Sequence, residues 1–405
     1  MEEQLIPQLR FQEFEDEWGQ VKLKDVSQYF NGGSFENDVS EKGKYELITL
    51  KSINVDGRLV HSKRYIDNEV STLEKNTLVM ILSEQAPGLL GMTALIPVKD
   101  KYVLNQRVAE LRPNSLVDSY FLSMSINRNQ RYFSKLGAGT KVQNITKPNV
   151  ENYEFLSTSL PEQQKIASFL TDVDNKITKL TKKKDLLEQY KKGIMQKIFN
   201  QELRFKDDNG NAFPKWEVKK LGDICELNHG YQFRSSDFTK AGLAVIKISN
   251  VIGNQLNLDD ITFIDEKRYD EFKRFEIQNG DILMSLTGNI GRVIEVNNKP
   301  FTLVQNYRVG KFEPFDKNVL IKPFLKYLLV SDLVFGRFNQ LSNQSAQANF
   351  GKQDMNKITV QFPTTEEQTK IANFLSDIDL KIEALNTKIE NCKAFKKGLL
   401  QKMFV

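Results

Sequence analysis

The sequence contains few of the residues from which metal sites, disulfide scaffolds and membrane spans are built. Its 405 residues include only two cysteines and two histidines, which are too few for a disulfide framework or a convincing zinc site. No apolar run approaches the roughly 18 residues that a membrane span needs, and the first residues lack the basic and apolar segments of a secretory signal. These absences predict a cytoplasmic protein that does not associate with a membrane.

Motifs of common enzyme classes are also missing. The chain has no Gly-x-x-x-x-Gly-Lys-Ser/Thr phosphate loop and no Gly-x-Ser-x-Gly nucleophile turn. Residues 298–301, Asn-Lys-Pro-Phe, approach the Asn-Pro-Pro-Phe tetrad of adenine-N6 methyltransferases. Lysine occupies the second position, however, and no glycine-rich cofactor loop accompanies the tetrad, so we interpret it as a hairpin turn. Cys225 and His229 are four residues apart but lack a second pair of metal ligands. The sequence therefore predicts a non-catalytic chain.

The main feature of the sequence is an internal repeat. Residues 162–170 are EQQKIASFL and residues 367–375 are EQTKIANFL, so the two copies lie 205 positions apart. Each copy closes with a second shared stretch, KKGIMQKIF at 191–199 and KKGLLQKMF at 396–404. The chain is therefore organised as a variable module, a similar segment, a second variable module and a second similar segment.

Shorter similarities precede each repeated segment. Leu-Arg-Phe occurs at 9–11 and again at 203–205, and Trp18 and Trp216 each begin a Trp-x-x-x-x-Leu-x-Asp pattern. Two further pairs match 51–57 with 247–253 and 107–108 with 308–309. Because these pairs repeat Lys51 as Lys247 and Arg107 as Arg308, a structural or phosphate-directed role is favoured for these cations over base recognition.

Both similar segments have the periodicity of long amphipathic helices. Mostly apolar residues recur every seven positions in two interleaved series, with lysine at 184, 191 and 396, and this pattern is typical of a coiled-coil seam. The series are 166, 173, 180, 187 and 194 with 170, 177, 184, 191 and 198, and the positions 205 residues later. Helices of about 38–40 residues would extend roughly 57–60 Å, and an apolar stripe of that length must be buried. We expect the two helices to pack antiparallel; two independent helical hairpins in separate domains are the alternative.

The variable modules have the pattern of mixed α/β domains. Short β-rich runs, punctuated by Gly, Asn and Asp, accompany one helical stretch per module, at 115–133 and 324–338. The predicted fold class is α+β, with two α/β domains related by pseudo-two-fold symmetry and separated by two long antiparallel coiled-coil helices. The predicted domains are the first module at 1–158, the central helix at 159–200, the second module at 201–362 and the C-terminal helix at 363–405.

The loops of the two modules carry the polar residues most suited to DNA. The net charge of +5 permits nucleic-acid binding without requiring it. Asn and Gln pair with adenine edges, Arg pairs with guanine, and Lys and Ser bind phosphates, although the same residue types also stabilise ordinary turns. The predicted DNA contacts are Asn31, Ser34, Lys51, Gln85, Lys141, Gln143, Asn144, Tyr231, Arg234, Ser235, Lys247, Thr287, Asn289, Arg292, Gln344, Ser345, Gln347 and Asn349.

The doubled Glu-Gln-x-Lys-Ile-Ala-x-Phe-Leu motif, with its Lys-Lys-Gly ending and its Trp/Leu/Asp entry, resembles the specificity subunit of type I restriction-modification systems. The resemblance covers essentially the whole chain. It implies that each module is a target-recognition domain that binds one half of a split sequence in double-stranded DNA. It also implies that the helices fix the gap between the halves and that the chain itself is not an enzyme.

The resemblance implies partners and cofactors as well. Two methyltransferase subunits would dock on the helices, around Phe169, Leu170, Phe374 and Leu375, and methylate adenine. Two restriction and translocation subunits would complete the complex. No cofactor or metal is expected in this chain, because S-adenosylmethionine, ATP and Mg would be held by the partner subunits.

Two other hypotheses stay open from the residues alone. A scaffold with a coiled-coil rod and two protein-binding heads would have the same organisation, but it would lack a salt-dependent affinity for DNA. A self-contained enzyme, related to a fused methyltransferase, would bind its cofactor without partners. Only residues 298–301 support the second hypothesis.

Overall fold

Two compact units make up the protein in this computed structural model, which describes residues 6–68, 70–84, 88–139, 142–253, 255–342 and 350–405. Unit 1 comprises Met1–Thr181 with Thr387–Val405, and unit 2 comprises Lys182–Asn386. The helices are α1 (Leu23–Val26), α2 (Ser119–Asn127), α3 (Gln130–Leu136), α4 (Lys147–Glu151), α5 (Leu160–Phe199), α6 (Leu221–Ile224), α7 (Tyr269–Phe272), α8 (Lys322–Val330), α9 (Asp332–Ser342), α10 (Lys352–Met355) and α11 (Thr365–Met403). Each unit therefore combines one module with a segment of each long helix, α5 and α11.

The module of unit 1 is built on two main sheets. Its strands are β1 (Gly19–Lys22), β2 (Ser27–Asn31), β3 (Tyr45–Ile48), β4 (Tyr65–Ile66), β5 (Leu78–Ile81), β6 (Ser83–Glu84), β7 (Thr93–Leu95), β8 (Tyr102–Leu104), β9 (Val108–Pro113), β10 (Gln143–Asn144) and β11 (Glu154–Ser157). An antiparallel sheet has the order β2-β9-β5-β7, and a second sheet has the order β4-β3-β8, in which β3 and β8 are parallel. All four apolar side chains of β5 are buried, which explains its place inside the larger sheet.

The module of unit 2 repeats this plan with more strands. They are β12 (Glu217–Lys220), β13 (Cys225–His229), β14 (Phe238–Thr239), β15 (Leu243–Ile246), β16 (Val251–Ile252), β17 (Gln255–Leu256), β18 (Thr262–Ile264), β19 (Glu276–Ile277), β20 (Ile282–Ser285), β21 (Val293–Glu295), β22 (Leu303–Gln305), β23 (Val309–Pro314) and β24 (Thr359–Phe362). The sheet β13-β23-β20-β21 corresponds to the larger sheet of unit 1, and β20 is fully buried like β5. The other sheet, β14-β18-β15-β22-β19, contains the parallel pair β15 and β22. The predicted mixed α/β modules are confirmed.

The single helical stretch expected in each module is instead two short helices. In unit 1, residues 128–129 separate α2 from α3, and in unit 2, Ser331 separates α8 from α9. Ser331 ends α8 because its backbone is extended (φ −63°, ψ 144°) and its hydroxyl donates to Leu328 O at 2.7 Å. The expectation of one continuous helix over 115–133 and over 324–338 is therefore wrong.

The long helices α5 and α11 have 40 and 39 residues, as the seven-residue periodicity predicts. Between residues 178 and 190 only the seam positions 180, 184 and 187 are not exposed. In unit 1 the start of α5 packs with the end of α11, where Lys396 Nζ donates to Asp174 Oδ2 at 2.7 Å. In unit 2 the end of α5 packs with the start of α11, where Lys191 Nζ donates to Asp379 Oδ1 at 2.5 Å. Within each unit the segments thus meet in the order of an antiparallel pair. Within the described ranges, no helix is both long and apolar enough to cross a membrane.

The same ion pair anchors the entry of each module to the start of a long helix. Arg10 Nε donates to Glu162 Oε1 at 2.7 Å in unit 1, and Arg204 Nε donates to Glu367 Oε1 at 2.8 Å in unit 2. Both carboxylates are fully buried, so each requires a cationic partner. Because these residues belong to the repeated Leu-Arg-Phe and Glu-Gln motifs, the sequence repeat is also a structural repeat.

Candidate nucleic-acid interface

Four loops of the first module meet at the turn that joins β8 to β9, residues 105–107. The hydrogen bonds that hold them are Gly33 N to Leu104 O at 3.0 Å, Asn105 N to Ile48 O at 3.0 Å, Leu82 N to Arg107 O at 3.0 Å and Ile145 N to Leu82 O at 3.0 Å. These bonds gather the loops after β2, β3 and β5 and the segment between β10 and α4 around one turn. We call this turn and its four loops the junction of unit 1.

The second module has a junction with the same backbone frame, around the turn that joins β22 to β23, residues 306–308. Its hydrogen bonds are Tyr231 N to Gln305 O at 2.9 Å, Asn306 N to Ile246 O at 3.1 Å, Leu286 N to Arg308 O at 2.9 Å and Phe350 N to Leu286 O at 2.9 Å. Each bond has its counterpart in unit 1. Most of the side chains that this frame carries differ between the two units.

Glycine is required where the first loop of each junction crosses the turn. A Cβ added to Gly32 would lie 1.9 Å from Asn105 O, and one added to Gly230 would lie 2.1 Å from Gln305 O. No side chain fits at such distances from a backbone oxygen, so glycine allows the close approach of the two backbones in both units.

Three of the predicted DNA contacts lie on or beside the first two loops of unit 1. Asn31 is exposed at the end of β2, Ser34 is exposed on the loop that follows, and Lys51 is exposed on the loop after β3. The junction therefore brings these three residues to one edge of the module. Gln85 and Lys141, which were also predicted, lie outside the described residues.

Gln143 and Asn144 form β10, which pairs with β6 beside the same turn. The side chain of Asn144 accepts a hydrogen bond from Ser83 Oγ and donates one to Val142 O at 3.1 Å. Its amide is thus engaged within the fold, which is the turn-stabilising role that the sequence left open. The side chain of Gln143 is half-buried.

In unit 2, four predicted contacts lie on the loops after β13 and β15. Tyr231 is half-buried against three phenylalanine rings. Arg234 and Ser235 are exposed at the start of a short 3₁₀ turn, and the half-buried Lys247 donates from Nζ to Thr262 Oγ1. The two exposed residues are the more accessible to a ligand.

The loop after β20 carries three more predicted contacts. It is closed by Ser285, whose Oγ donates to Asn289 O at 2.5 Å and accepts from Arg292 N at 3.2 Å. Asn289 is exposed and Arg292 is half-buried, whereas Thr287 Oγ1 is buried without a hydrogen-bond partner among the described residues. The remaining predicted contacts lie outside the described residues, and they are Gln344, Ser345, Gln347 and Asn349.

The pairing of Lys51 with Lys247 that the sequence suggested is wrong. Directly after the parallel strands β3 and β15, Thr49 N donates to Ser52 Oγ at 2.9 Å and Lys247 N donates to Asn250 Oδ1 at 2.9 Å. Lys247 is therefore the counterpart of Thr49, and the two loops match with a shift of two residues from the sequence alignment. These two lysines therefore do not occupy equivalent positions in the two units.

The pairing of Arg107 with Arg308 is confirmed, because the carbonyl of Arg107 accepts from Leu82 N and that of Arg308 accepts from the equivalent Leu286 N. Both arginines are exposed at the third position of the turn. The residues at the tips of the turns, Gln106 and Tyr307, were not among the predicted contacts. A signal was present, because the pattern Asn-x-Arg-Val occurs in both halves of the chain.

The charge beside these arginines differs between the junctions. In unit 1, the pKa of Glu36 is held below its usual value by hydrogen bonds from Arg64 and Asn105. The positive charges of Arg64 and Arg107 act in the same direction. In unit 2, Arg308 Nε donates to the Tyr307 hydroxyl at 2.6 Å. An anionic side chain thus lies near the arginine of unit 1, and a neutral one contacts the arginine of unit 2.

The four residues predicted to dock partner subunits divide into two pairs. Leu170 and Leu375 are fully buried in the cores of their own units, so they do not contribute accessible surface. Phe169 and Phe374 are partly exposed and lie edge-on to the phenylalanines of the Leu-Arg-Phe motifs, with ring centroids 6.0 and 5.6 Å apart. Much of the repeated apolar pattern therefore serves the chain's own packing.

Residues 298–301 do not form the hairpin turn that we inferred from the sequence. They connect β21 to β22, which belong to different sheets and do not pair with each other. Lys299 Nζ donates to Glu276 Oε1 at 2.8 Å and to Ile277 O at 2.9 Å, so the lysine of this segment is part of the fold.

Burial raises the pKa of the Cys225 thiol to about 12, which keeps the thiol protonated.

Comparison with known proteins gives consistent relatives across nearly the whole chain. A family model described as "Type I restriction modification DNA specificity domain" matches twice, at residues 15–189 and 214–393. The type I restriction enzyme MjaVIII specificity subunit of Methanocaldococcus jannaschii is 26% identical, with 95% of this chain and 91% of that protein covered. The EcoBI specificity subunit of Escherichia coli is 20% identical, with 95% of this chain and 84% of that protein covered.

Solved structures have the same fold. The S subunit of a type I restriction-modification system from M. genitalium superposes with a TM-score of 0.63 at 16% identity, and the match covers 99% of each chain. A chain from a study of the assembly of a type I system gives a TM-score of 0.52 at 17% identity, covering 96% of this chain and 97% of that one. Because the family model accounts for most of the sequence in two copies, this chain belongs to the type I restriction-modification specificity family, whose domains recognise DNA targets.

Proposed function

We propose that this chain is the sequence-specific DNA-binding subunit of a type I restriction-modification complex and that each junction recognises one half of a bipartite DNA target. The repeated frame of the two junctions carries this proposal. Both have the same four backbone hydrogen bonds, but the turn tips are Gln106 in one and Tyr307 in the other. One frame with two sets of side chains is suited to two half-sites of different sequence.

The charges of the junctions support contact with DNA. Exposed cations lie on the loops of both units, with Lys51 and Arg107 in the first and Arg234 and Arg308 in the second. Cations bind phosphates, and amide side chains recognise base edges. This combination distinguishes the proposal from a purely protein-binding scaffold, because a chain that binds DNA loses affinity steeply as salt rises.

The long helices are proposed to set the gap between the half-sites. Four residues inserted into α5 after Thr181 would lengthen the helix by about 6 Å and rotate the following part by about 40°. We expect the unread gap to lengthen while both half-site sequences stay the same, as measured by mapping methylated adenines in cells that contain the partner subunits. The same insertion in the exposed turn at Gly210 is the control and leaves the gap unchanged. Altered half-site sequences would contradict the spacer role.

The partners of the proposed complex are two methyltransferase subunits, which methylate adenine, and two restriction and translocation subunits. In this proposal the chain is not catalytic, and S-adenosylmethionine, ATP and Mg belong to the partner subunits. Two copies of one partner require a surface that occurs twice. Tyr190 and Phe395 meet this requirement, because they are 205 positions apart and 52% and 56% exposed.

This docking surface can be tested by stoichiometry. Tyr190→Ser and Phe395→Ser are each expected to lose one methyltransferase copy, and the double variant to lose both, as measured by mass photometry. Leu380→Ser is the matched control, because Leu380 is 60% exposed but its repeat counterpart is the polar Asn175. Full assembly of the double variant would exclude this surface.

A further inference from the structure

We propose that Arg107 and Arg308 are phosphate anchors, one at the centre of each junction. The proposal rests on the DNA-binding function proposed above and deepens it. It separates the residues that hold the DNA backbone from those that recognise bases.

The backbone of each arginine is held in place. The carbonyl of Arg107 accepts from Leu82 N and that of Arg308 accepts from Leu286 N. The next residue in each case is a fully buried valine that begins a strand. Arg107 also has a φ of 66°, a conformation that residues with long side chains rarely adopt. Each exposed side chain therefore extends from a rigid base, which reduces the entropy lost when it binds a ligand.

Neither guanidinium group forms an ion pair among the described residues, although the charge of Arg107 acts on Glu36, whose own ion-pair partner is Arg64. Several arginines of the modules are bound to carboxylates, such as Arg112 to Glu110 and Arg268 to Asp237 and Glu271. Among the described residues, neither Arg107 nor Arg308 is within ion-pair distance of a carboxylate. A planar cation without an ion-pair partner is suited to bidentate binding of phosphate.

The repeat indicates which part of DNA these arginines contact. The residues around them differ between the units, with Asn31 and Gln106 in one and His229 and Tyr307 in the other. Two half-sites of different sequence share the sugar-phosphate backbone but not their bases. A residue that is the same in both junctions is therefore matched to phosphate, and the residues that differ are matched to bases.

The experiment measures how the affinity of the full chain for DNA depends on salt. The probes are a short duplex of random sequence and a duplex that contains the target found by mapping methylated adenines. The slope of log K against log salt is negative, and Arg107→Ala and Arg308→Ala are each expected to make it less steep by about 0.9. Affinity should fall by the same factor for both duplexes, and the target sequence should stay the same. Arg107→Lys and Arg308→Lys should retain the slope, because they keep the charge.

Two lysines serve as matched controls, and thermal unfolding checks that every variant is folded. Lys75 and Lys317 are exposed and lie beyond the far ends of β5 and β23 from the junctions, so their alanine variants should keep the wild-type slope. An unchanged slope in the arginine variants, or relaxed recognition of a single base pair, would overturn this inference while leaving the proposed function intact. A wild-type chain without salt-dependent binding to either duplex would overturn the proposed function itself.

Discussion

Unit 1 and unit 2 form the same local structure, but only unit 2 does so within a continuous stretch of chain. In unit 2 the end of α5 leads directly into the next module, and Leu203 N donates to Lys197 O at 3.0 Å. In unit 1 the equivalent bond joins the two end regions of the sequence, because Leu9 N donates to Lys402 O at 2.8 Å. End regions are usually tolerant of change, but here both are structural parts of unit 1.

A second difference concerns the two tryptophans. Trp216 Nε1 donates to Glu367 Oε2 at 3.2 Å, whereas Trp18 Nε1 is buried without a hydrogen-bond partner among the described residues. Glu367 therefore accepts from Arg204 and Trp216, whereas Glu162 accepts from Arg10 and, in place of the indole, from the Thr158 hydroxyl. Each buried carboxylate thus binds one arginine and one neutral donor, and the units differ in which donor that is.

The largest expected effect is at Phe404, the counterpart of Phe199. Phe404 is buried, and its ring stacks on Phe121 with centroids 5.1 Å apart. Phe404→Ala should destabilise unit 1 by about 3–5 kcal/mol, and Phe199→Ala should destabilise unit 2 by a similar amount. Denaturant titrations followed by hydrogen-exchange mass spectrometry resolve the two units. Val405→Ala, at the exposed final residue, is the control. A Phe404 variant as stable as the wild type would show that the end region is a tail.

The next effect tests the two buried glutamates. Glu162→Gln should destabilise unit 1 by about 2 kcal/mol, because it weakens a charge-assisted hydrogen bond to Arg10. Glu367→Gln should cost about the same, since each substitution also weakens one bond from a neutral donor, Thr158 Oγ1 in unit 1 and Trp216 Nε1 in unit 2. The same exchange measurement compares the two variants. A clearly larger loss in one variant would contradict this equivalence of the Thr158 and Trp216 bonds.

The smallest effect is the acid sensitivity of Asp174. Burial opposes its ionisation, but hydrogen bonds from Lys396 and Tyr120 and the charges of Lys396 and Arg58 outweigh burial, so its pKa is lowered in the fold. The ionised carboxylate therefore stabilises unit 1 fully above the unfolded-state pKa of roughly 4, and this stabilisation is lost as pH falls through the lower folded-state pKa.

Asp174→Asn should lower the free energy of unfolding by about 1 kcal/mol at neutral pH. Below about pH 4 the variant should lose less stability than the wild type as the pH falls. Unfolding of unit 1 as a function of pH measures both effects. An unchanged acid profile in the variant would assign the sensitivity to other groups.

The long helices were predictable because their signal is local. The seven-residue apolar series places residues such as Leu180 and Leu187 on one face, and the burial pattern follows it. The break at Ser331 was not predictable, since a serine is compatible with either a helix or a turn until its hydroxyl finds Leu328 O. A bond from a hydroxyl to the carbonyl three residues earlier leaves no periodic signal in the sequence.

The candidate site was predictable in its loops but not in its register. The structure gathers the chosen loops at one edge of each module because the parallel pairs β3 with β8 and β15 with β22 bring together distant parts of the chain. The alignment of Lys51 with Lys247 failed because the loops are matched by the side chains that cap their turns, Ser52 and Asn250. Side-chain identity alone does not reveal which residues occupy the same position.

The central claim is that each unit recognises its own half of a DNA target. The most direct test replaces residues 20–150 by the corresponding module of another member of the family and maps methylated adenines in cells that contain the partner subunits. The account predicts that one half of the recognised sequence changes, while the other half stays the same. A change in both halves would contradict it.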